Sequence, residues 1–213
     1  MARSAECEGG AKDLAIGSGD FQILKEELRY SRYLNVYNRI VEYPPDAQDA
    51  RKVVEYDIVG SRTVSFHFCA VMPFDSKSKL VTLIKEYAQG SNGMMFSLPC
   101  GGLSKSHTSL EDCAMKELSE EAHLHDGKLV KLIGDDHPGL LEVKWCRNRF
   151  TPYLILDPLI DPNPRPRDSE EYMEIVRVDL EELDKIMFSG QMMLPSIVTC
   201  SMGLRYLKKH HIL

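Results

Sequence analysis

The spacing of apolar residues changes period several times along the chain, and each change marks an expected element. Residues 34–43 (LNVYNRIVEY) alternate like a half-buried strand and stop at Pro44-Pro45. Residues 53–59 and 63–74 read as two further strands divided by a Gly60-Ser61 turn, and both are expected to pair with residues 80–87 beyond the polar turn at 75–79. Residues 21–32 show a mixed helical spacing. A Gly/Ser/Asn break at 90–93, a short apolar run at 94–98 and the tetrapeptide Pro99-Cys100-Gly101-Gly102 lead into residues 110–124, the strongest helical pattern of the chain. Strands are expected again at 128–133, 150–156 and 174–178, and helices at 180–188 and 195–209. Strands on both sides of a central helix, with helices at the end, predict an α/β (α+β) fold in which a mixed sheet is clasped between helices.

Composition narrows the field without changing that picture. The 213 residues are 43% hydrophobic and 27% charged, as in an ordinary globular protein, with enough chain for one domain and a small appendage. A net charge of −6 excludes a general nucleic-acid or anionic-membrane binder, which needs a basic surplus. A small anionic substrate stays compatible, because a metal ion supplies positive charge locally. No run approaches the length of a membrane span. The first twenty residues lack the apolar core of a secretory signal and read as a disordered lead-in. Six cysteines (Cys7, Cys69, Cys100, Cys113, Cys146, Cys200) stand apart with no C-x-x-C pair, which fits reduced, buried thiols and a cytoplasmic protein.

The chemistry concentrates in GGLSKSHTSLEDCAMKELSEEAHL, residues 101–124. On a helical projection Leu110, Cys113, Ala114, Leu118 and Leu124 form one stripe, while Asp112, Lys116, Ser119 and His123 fall opposite, toward water. Glu117 and Glu121 project inside the apolar stripe and Glu120 at its edge. Carboxylates at i and i+4 on a core-facing surface repel each other and cost several kcal/mol to desolvate unless a cation joins them. A hard divalent ion is the simplest partner, and a glycine carbonyl at Gly101-Gly102 could approach it closely. The competing reading is a solvated, Glu-rich helix face.

This segment resembles the Nudix box: Gly, five residues, Glu, seven residues, Arg-Glu, a hydrophobic residue, any residue, Glu-Glu, any residue, Gly and a hydrophobic residue. Gly102 fits the first glycine, Glu117-Leu118-Ser119-Glu120-Glu121 the metal-binding core and Leu124 the last position. Thr108, Lys116 and His123 depart from it, standing where Glu, Arg and Gly belong. Outside the box, Ser31–Leu34, LIKEY at 83–87, Met95–Leu103, Pro138-Gly139-Leu140 and Glu170–Glu174 resemble the ADP-ribose and ADP-sugar pyrophosphatase branch in order and spacing. Ala88 and Phe96–Leu98 depart from that branch at positions that help hold the nucleoside.

The resemblance implies a Nudix α/β/α sandwich over 61–213, with a small N-terminal strand subdomain over 21–60 that dimerises. It implies Mg²⁺ or Mn²⁺ held by Gly101 (carbonyl), Glu117, Glu120 and Glu121, with Glu120 and Glu171 as catalytic residues. Glu171 would be the general base, with Glu170 and, more remotely, Glu142 as alternatives. Arg32, Glu86, Leu103, Pro138 and Gly139 would contact substrate. Trp145 and Arg147 would either clamp a nucleotide or pack at the rim, and His107 would either touch phosphate or sit in a surface turn. The implied activity is metal-dependent hydrolysis of the pyrophosphate in a nucleoside diphosphate sugar, an ADP-sugar or ADP-ribose-like compound. The altered box leaves a second expectation open, a catalytically weak domain that binds a nucleotide or a protein.

Overall fold

Successive apolar side chains of the central strands leave the sheet on opposite faces, and this decides the layers. Val71 and Met72, Leu83 and Ile84, and Leu154 and Ile155 are pairs of fully buried neighbours, each pair divided between two separate cores. The computed structural model describes residues 20–45, 51–62, 65–167 and 171–213. Most of the expected lead-in, residues 1–19, lies outside them. In chain order the elements are β1 (Gln22–Ser31), β2 (Leu34–Glu42), β3 (Val53–Ser61), β4 (His67–Asp75), β5 (Leu80–Ala88), β6 (Gly93–Ser97) and β7 (Cys100–Gly102). Helix α1 (Leu110–Ala122) follows, then β8 (Leu124–His125), β9 (Lys128–Lys131), β10 (Leu140–Leu141), β11 (Arg149–Leu156), β12 (Leu159–Ile160) and β13 (Met173–Val178). Helices α2 (Leu180–Phe188) and α3 (Leu194–Lys209) close the chain.

The main sheet runs β10-β11-β4-β5-β13, with β6 on β5, β7 on β4 and β9 on β11. It is mixed: β11 lies parallel to β4, and the other pairs are antiparallel. One face buries Cys113, Ala114, Leu118 and Ala122 of α1 against Cys69, Val71, Ile84, Tyr153 and Ile155. The other buries Leu183, Ile186 and Met187 of α2 and Cys200 and Leu207 of α3 against Met72, Phe74, Leu83 and Leu154. The expected α/β mixed sheet between helices is therefore present.

Two local expectations are corrected. Residues 21–32 form strand β1, not a helix-spaced segment. The strand is exposed along nearly its whole length, and register shifts between Ile23/Lys25 and Leu28/Tyr30 break its alternation, so period 2 is absent from the sequence. Pairing with β2 overrides the helix-favouring Leu, Glu and Lys content. In the second, β3 does not join the strand at 80–87 but pairs with β2, giving a separate sheet β1-β2-β3. The expected strand at 63–74 begins at His67; Thr63 lies outside the described residues.

Arg147 bolts the small sheet to the large one. Its guanidinium lies 4.4 Å from the Tyr37 ring centroid and 4.8 Å from that of Phe66, and pairs with Glu26 at 2.9 Å. The backbone joins in, with Arg147 N–H donating to Val59 O at 2.8 Å. Of its two expected roles, Arg147 takes the packing one.

Candidate active site

Helix α1 is fixed at both ends. Ser109 caps its N-terminus by accepting from the Asp112 N–H at 3.1 Å, and Glu111 and Asp112 in the first turn complement the helix dipole. At the other end His123 adopts the left-handed conformation (φ 53°) and donates its N–H to Leu118 O. The box departures acquire their meaning here. The Lys116 ammonium pairs with Asp112 at 2.8 Å and donates to Ser106 O at 2.9 Å. Thr108 donates its backbone N–H to the same Asp112 carboxylate at 2.9 Å. Lys116 and that N–H together hold the Asp112 carboxyl down to about 2. Asp112 thus ties the pre-helix turn to the helix.

Against this fixed helix lies β7. A Cβ built on Gly101 would meet Glu117 Oε1 at 1.8 Å, so the carboxylate occupies the space that any side chain there would need. Glu121 is 7% exposed and accepts the Cys100 N–H at 2.8 Å. Burial first, then the charges of Glu117, Glu86 and Glu171, push its carboxyl well above the usual range, against the lowering effect of the Cys100 N–H. Four acids from α1, β5 and the segment before β13 therefore share one electrostatic neighbourhood. Glu86 takes its place in this acidic group, its carboxylate accepting the Ser97 hydroxyl.

Glu120 is turned aside. Its carboxylate pairs with Arg165 Nε at 2.7 Å, and its carbonyl accepts from Arg167 Nε at 3.0 Å. Arg167 also donates to the carbonyls of Glu121 at 2.9 Å and Met173 at 3.4 Å, tying the end of α1 to the start of β13. Glu171 is exposed and borders the acidic group; Glu170 lies outside the described residues. Glu142 accepts from Cys146 Sγ at 3.3 Å and Asn148 Nδ2 at 3.2 Å, and so staples its own loop.

The remaining expected contacts come from other elements. Leu103 is packed against the α1-side core and donates its N–H to His67 O at 2.8 Å. Gly139 has φ 90° and accepts from Arg149 Nη1 at 3.0 Å, with Pro138 before it in the same turn. Arg32 stands at the small sheet, where with Tyr33 and Arg62 it lines a cavity of about 480 Å³. Trp145 is exposed, and His107 sits in the turn before α1, its Nδ1 accepting from Ser104 N–H at 3.0 Å.

Sequence reasoning missed three features. Ser119, expected in water, is buried: it donates to Asp161 at 2.6 Å and accepts the Arg165 N–H at 3.1 Å. Arg165 and Arg167 carried no periodic signal, being in a Pro-rich loop. Cys69 and Cys113 direct their thiols at the Gly101 carbonyl, at 3.7 and 3.5 Å.

A NUDIX domain family model matches residues 66–194. No curated protein matches the chain. Among solved structures, the crystal structure of an ADP compounds hydrolase is similar, with a TM-score of 0.64 and 18% sequence identity over 91% of this chain and 97% of that one. At that identity the likeness speaks for the fold.

Proposed function

As the chain belongs to the NUDIX domain family, we propose that it is a hydrolase of the pyrophosphate bond in a nucleoside diphosphate-linked small molecule. An ADP-sugar or ADP-ribose-like compound is the favoured substrate, and the structural likeness to a hydrolase of ADP compounds supports that choice. The observation that carries the reading is Glu121, a carboxylate buried to 7% exposure among the like charges of Glu117, Glu86 and Glu171. Such a group of hard oxygen donors fits a divalent cation and is unfavourable without one.

Glu117, Glu121 and the Gly101 carbonyl would hold Mg²⁺ or Mn²⁺, joined by Glu120 once it exchanges Arg165 for the ion. The ion supplies charge neutralisation of the diphosphate and acidifies a bound water. The chain's own groups do the rest. Ser109, Asp112 and Lys116 fix the helix that aims the carboxylates, and Arg167 fixes its far end. Glu171, exposed at the edge of the acidic group, would take the proton of the attacking water as general base. Released from Glu120, Arg165 would pair with the diphosphate oxygens. Arg32, with Arg62 and Tyr33, lines an open surface depression that would take the nucleotide part, and Leu103, Pro138 and Gly139 would complete the proposed substrate contacts. The small sheet exposes Ile23, Leu28, Tyr30, Val53 and Tyr56, which supports its use as a homodimer surface.

The test is hydrolysis of a panel of nucleoside diphosphate sugars, ADP-ribose included, with Mg²⁺ or Mn²⁺, beside the Glu120→Gln and Glu121→Gln variants. Metal-dependent turnover that disappears in both variants is expected. No turnover of any substrate by the folded protein would overturn the enzyme reading in favour of a nucleotide- or protein-binding module.

A further inference from the structure

We propose that His107, Cys113 and Glu117 form a second metal site, suited to a thiophilic ion such as Zn²⁺ or Cd²⁺, whose filling inhibits the hydrolase by taking Glu117 from the hard-ion set. The regulatory half of this rests on the reading of the carboxylates given above; the site itself does not.

One ligand atom from each of the three side chains lies within 4.8 Å of the others. Cys113 and Glu117 are one helical turn apart on α1 and therefore share a face, while His107 comes from the turn that Ser109 caps. A fourth donor is adjacent: Cys69 Sγ on β4 lies 3.8 Å from Cys113 Sγ. Two thiolates on a tetrahedral zinc ion, with bonds of about 2.3 Å, are separated by about 3.8 Å. The two sulfurs thus already stand at the spacing of ligands, and both face the Gly101 carbonyl. Glu117 and His107 are only partly buried, so they form the open side of the cluster. To coordinate one ion the set would close from 4.8 Å to roughly 3.5 Å separations, a movement that would fall to these two side chains.

The donor set selects its ion. One or two thiols, an imidazole and a single carboxylate match Zn²⁺ or Cd²⁺, whereas Mg²⁺ takes oxygen donors and retained water. Binding displaces the Cys113 thiol proton to solvent, and that of Cys69 where it joins. His107 Nδ1 now accepts the Ser104 N–H, a bond that would orient the ring if Nε2 is the ligand and would be exchanged if Nδ1 is. Because Glu117 belongs to both sets, the two ions exclude each other.

Metal-free full-length protein titrated with Co²⁺ reads the site directly, through the thiolate-to-metal charge-transfer absorption that a carboxylate site does not give. We expect a saturable band in the wild type, lost in Cys113→Ala and weakened at least about tenfold in affinity in His107→Ala. Glu120→Gln should keep the band. No band, or an undiminished band in a natively folded Cys113→Ala, would overturn the site. If Cys113→Ala does not fold, unchanged affinity in His107→Ala overturns it alone. Zn²⁺ should inhibit Mg²⁺-driven turnover of the wild type and act about tenfold more weakly on His107→Ala; equal inhibition would overturn the competitive role. A band in a protein that hydrolyses nothing supports the site and overturns only the hydrolase reading.

Discussion

Glu121 is the residue in which stability and chemistry oppose each other most directly. Its carboxyl is raised by burial and then by Glu117, so the folded chain holds this proton more tightly than the unfolded one. The stability linked to it is complete below the unfolded value near 4.5 and is lost as pH rises through the folded value. The metal-free protein should therefore melt at progressively lower temperature as pH is raised above that unfolded value, and saturating Mg²⁺ should remove most of that slope. In Glu121→Gln the amide oxygen keeps the Cys100 N–H while the charge is gone. Thermal melts at neutral pH without metal should show the variant stabilised by about 1 kcal/mol. The same variant should lose at least about a hundredfold in metal-dependent turnover. The placement of Glu117 and Glu121 was legible from helical spacing alone, because a buried carboxylate violates the polarity of its stripe. Arg165 and Arg167 were not, since a loop arginine reveals its partner only in three dimensions.

Among the elements, α1 was the most legible because period and motif agree, and the structure keeps it at Leu110–Ala122. Its ends define two stability tests. Ser109→Ala removes the bond to Asp112 N–H and should cost about 1 kcal/mol in chemical denaturation. His123 occupies a left-handed position where the box expects glycine, so His123→Gly should stabilise by up to about 1 kcal/mol in the same assay. A destabilised glycine variant would mean that the His123 side chain holds the helix end in some other way. Strand β1 was illegible for the opposite reason: an exposed strand with two bulges has neither an apolar face nor an unbroken alternation to read. The order of the central sheet was hidden too, because β4 takes its parallel partner from beyond α1 and no local pattern encodes so distant a neighbour.

For the whole molecule, the layers followed from apolar runs flanked by helices, but the way the small sheet attaches did not. It depends on Arg147, whose guanidinium meets Tyr37, Phe66 and Glu26 at once. Arg147→Ala should cost about 1–2 kcal/mol and should speed proteolysis within residues 20–61 before the main sheet is cut, as peptide mapping would show. The exposed Ile23 and Leu28 give the oligomer test: a double substitution to glutamate should turn a homodimer into a monomer in sedimentation at micromolar concentration. A wild type that is already monomeric there would end the dimer proposal.

The parallel pairing of β4 with β11 has a consequence for how the chain is born. His67 and Thr151, bonded side by side in the finished sheet, are 84 positions apart. During synthesis β4 emerges first and stands as an apolar edge, and α1 emerges before Tyr153 and Ile155, against which its apolar face packs. Contacts of such long separation form slowly and leave strand edges open to other chains. Nascent chains halted before Arg149 should therefore be sticky, chaperone-bound and unable to complete the fold around the acidic group, while release of the remaining residues lets the sheet close.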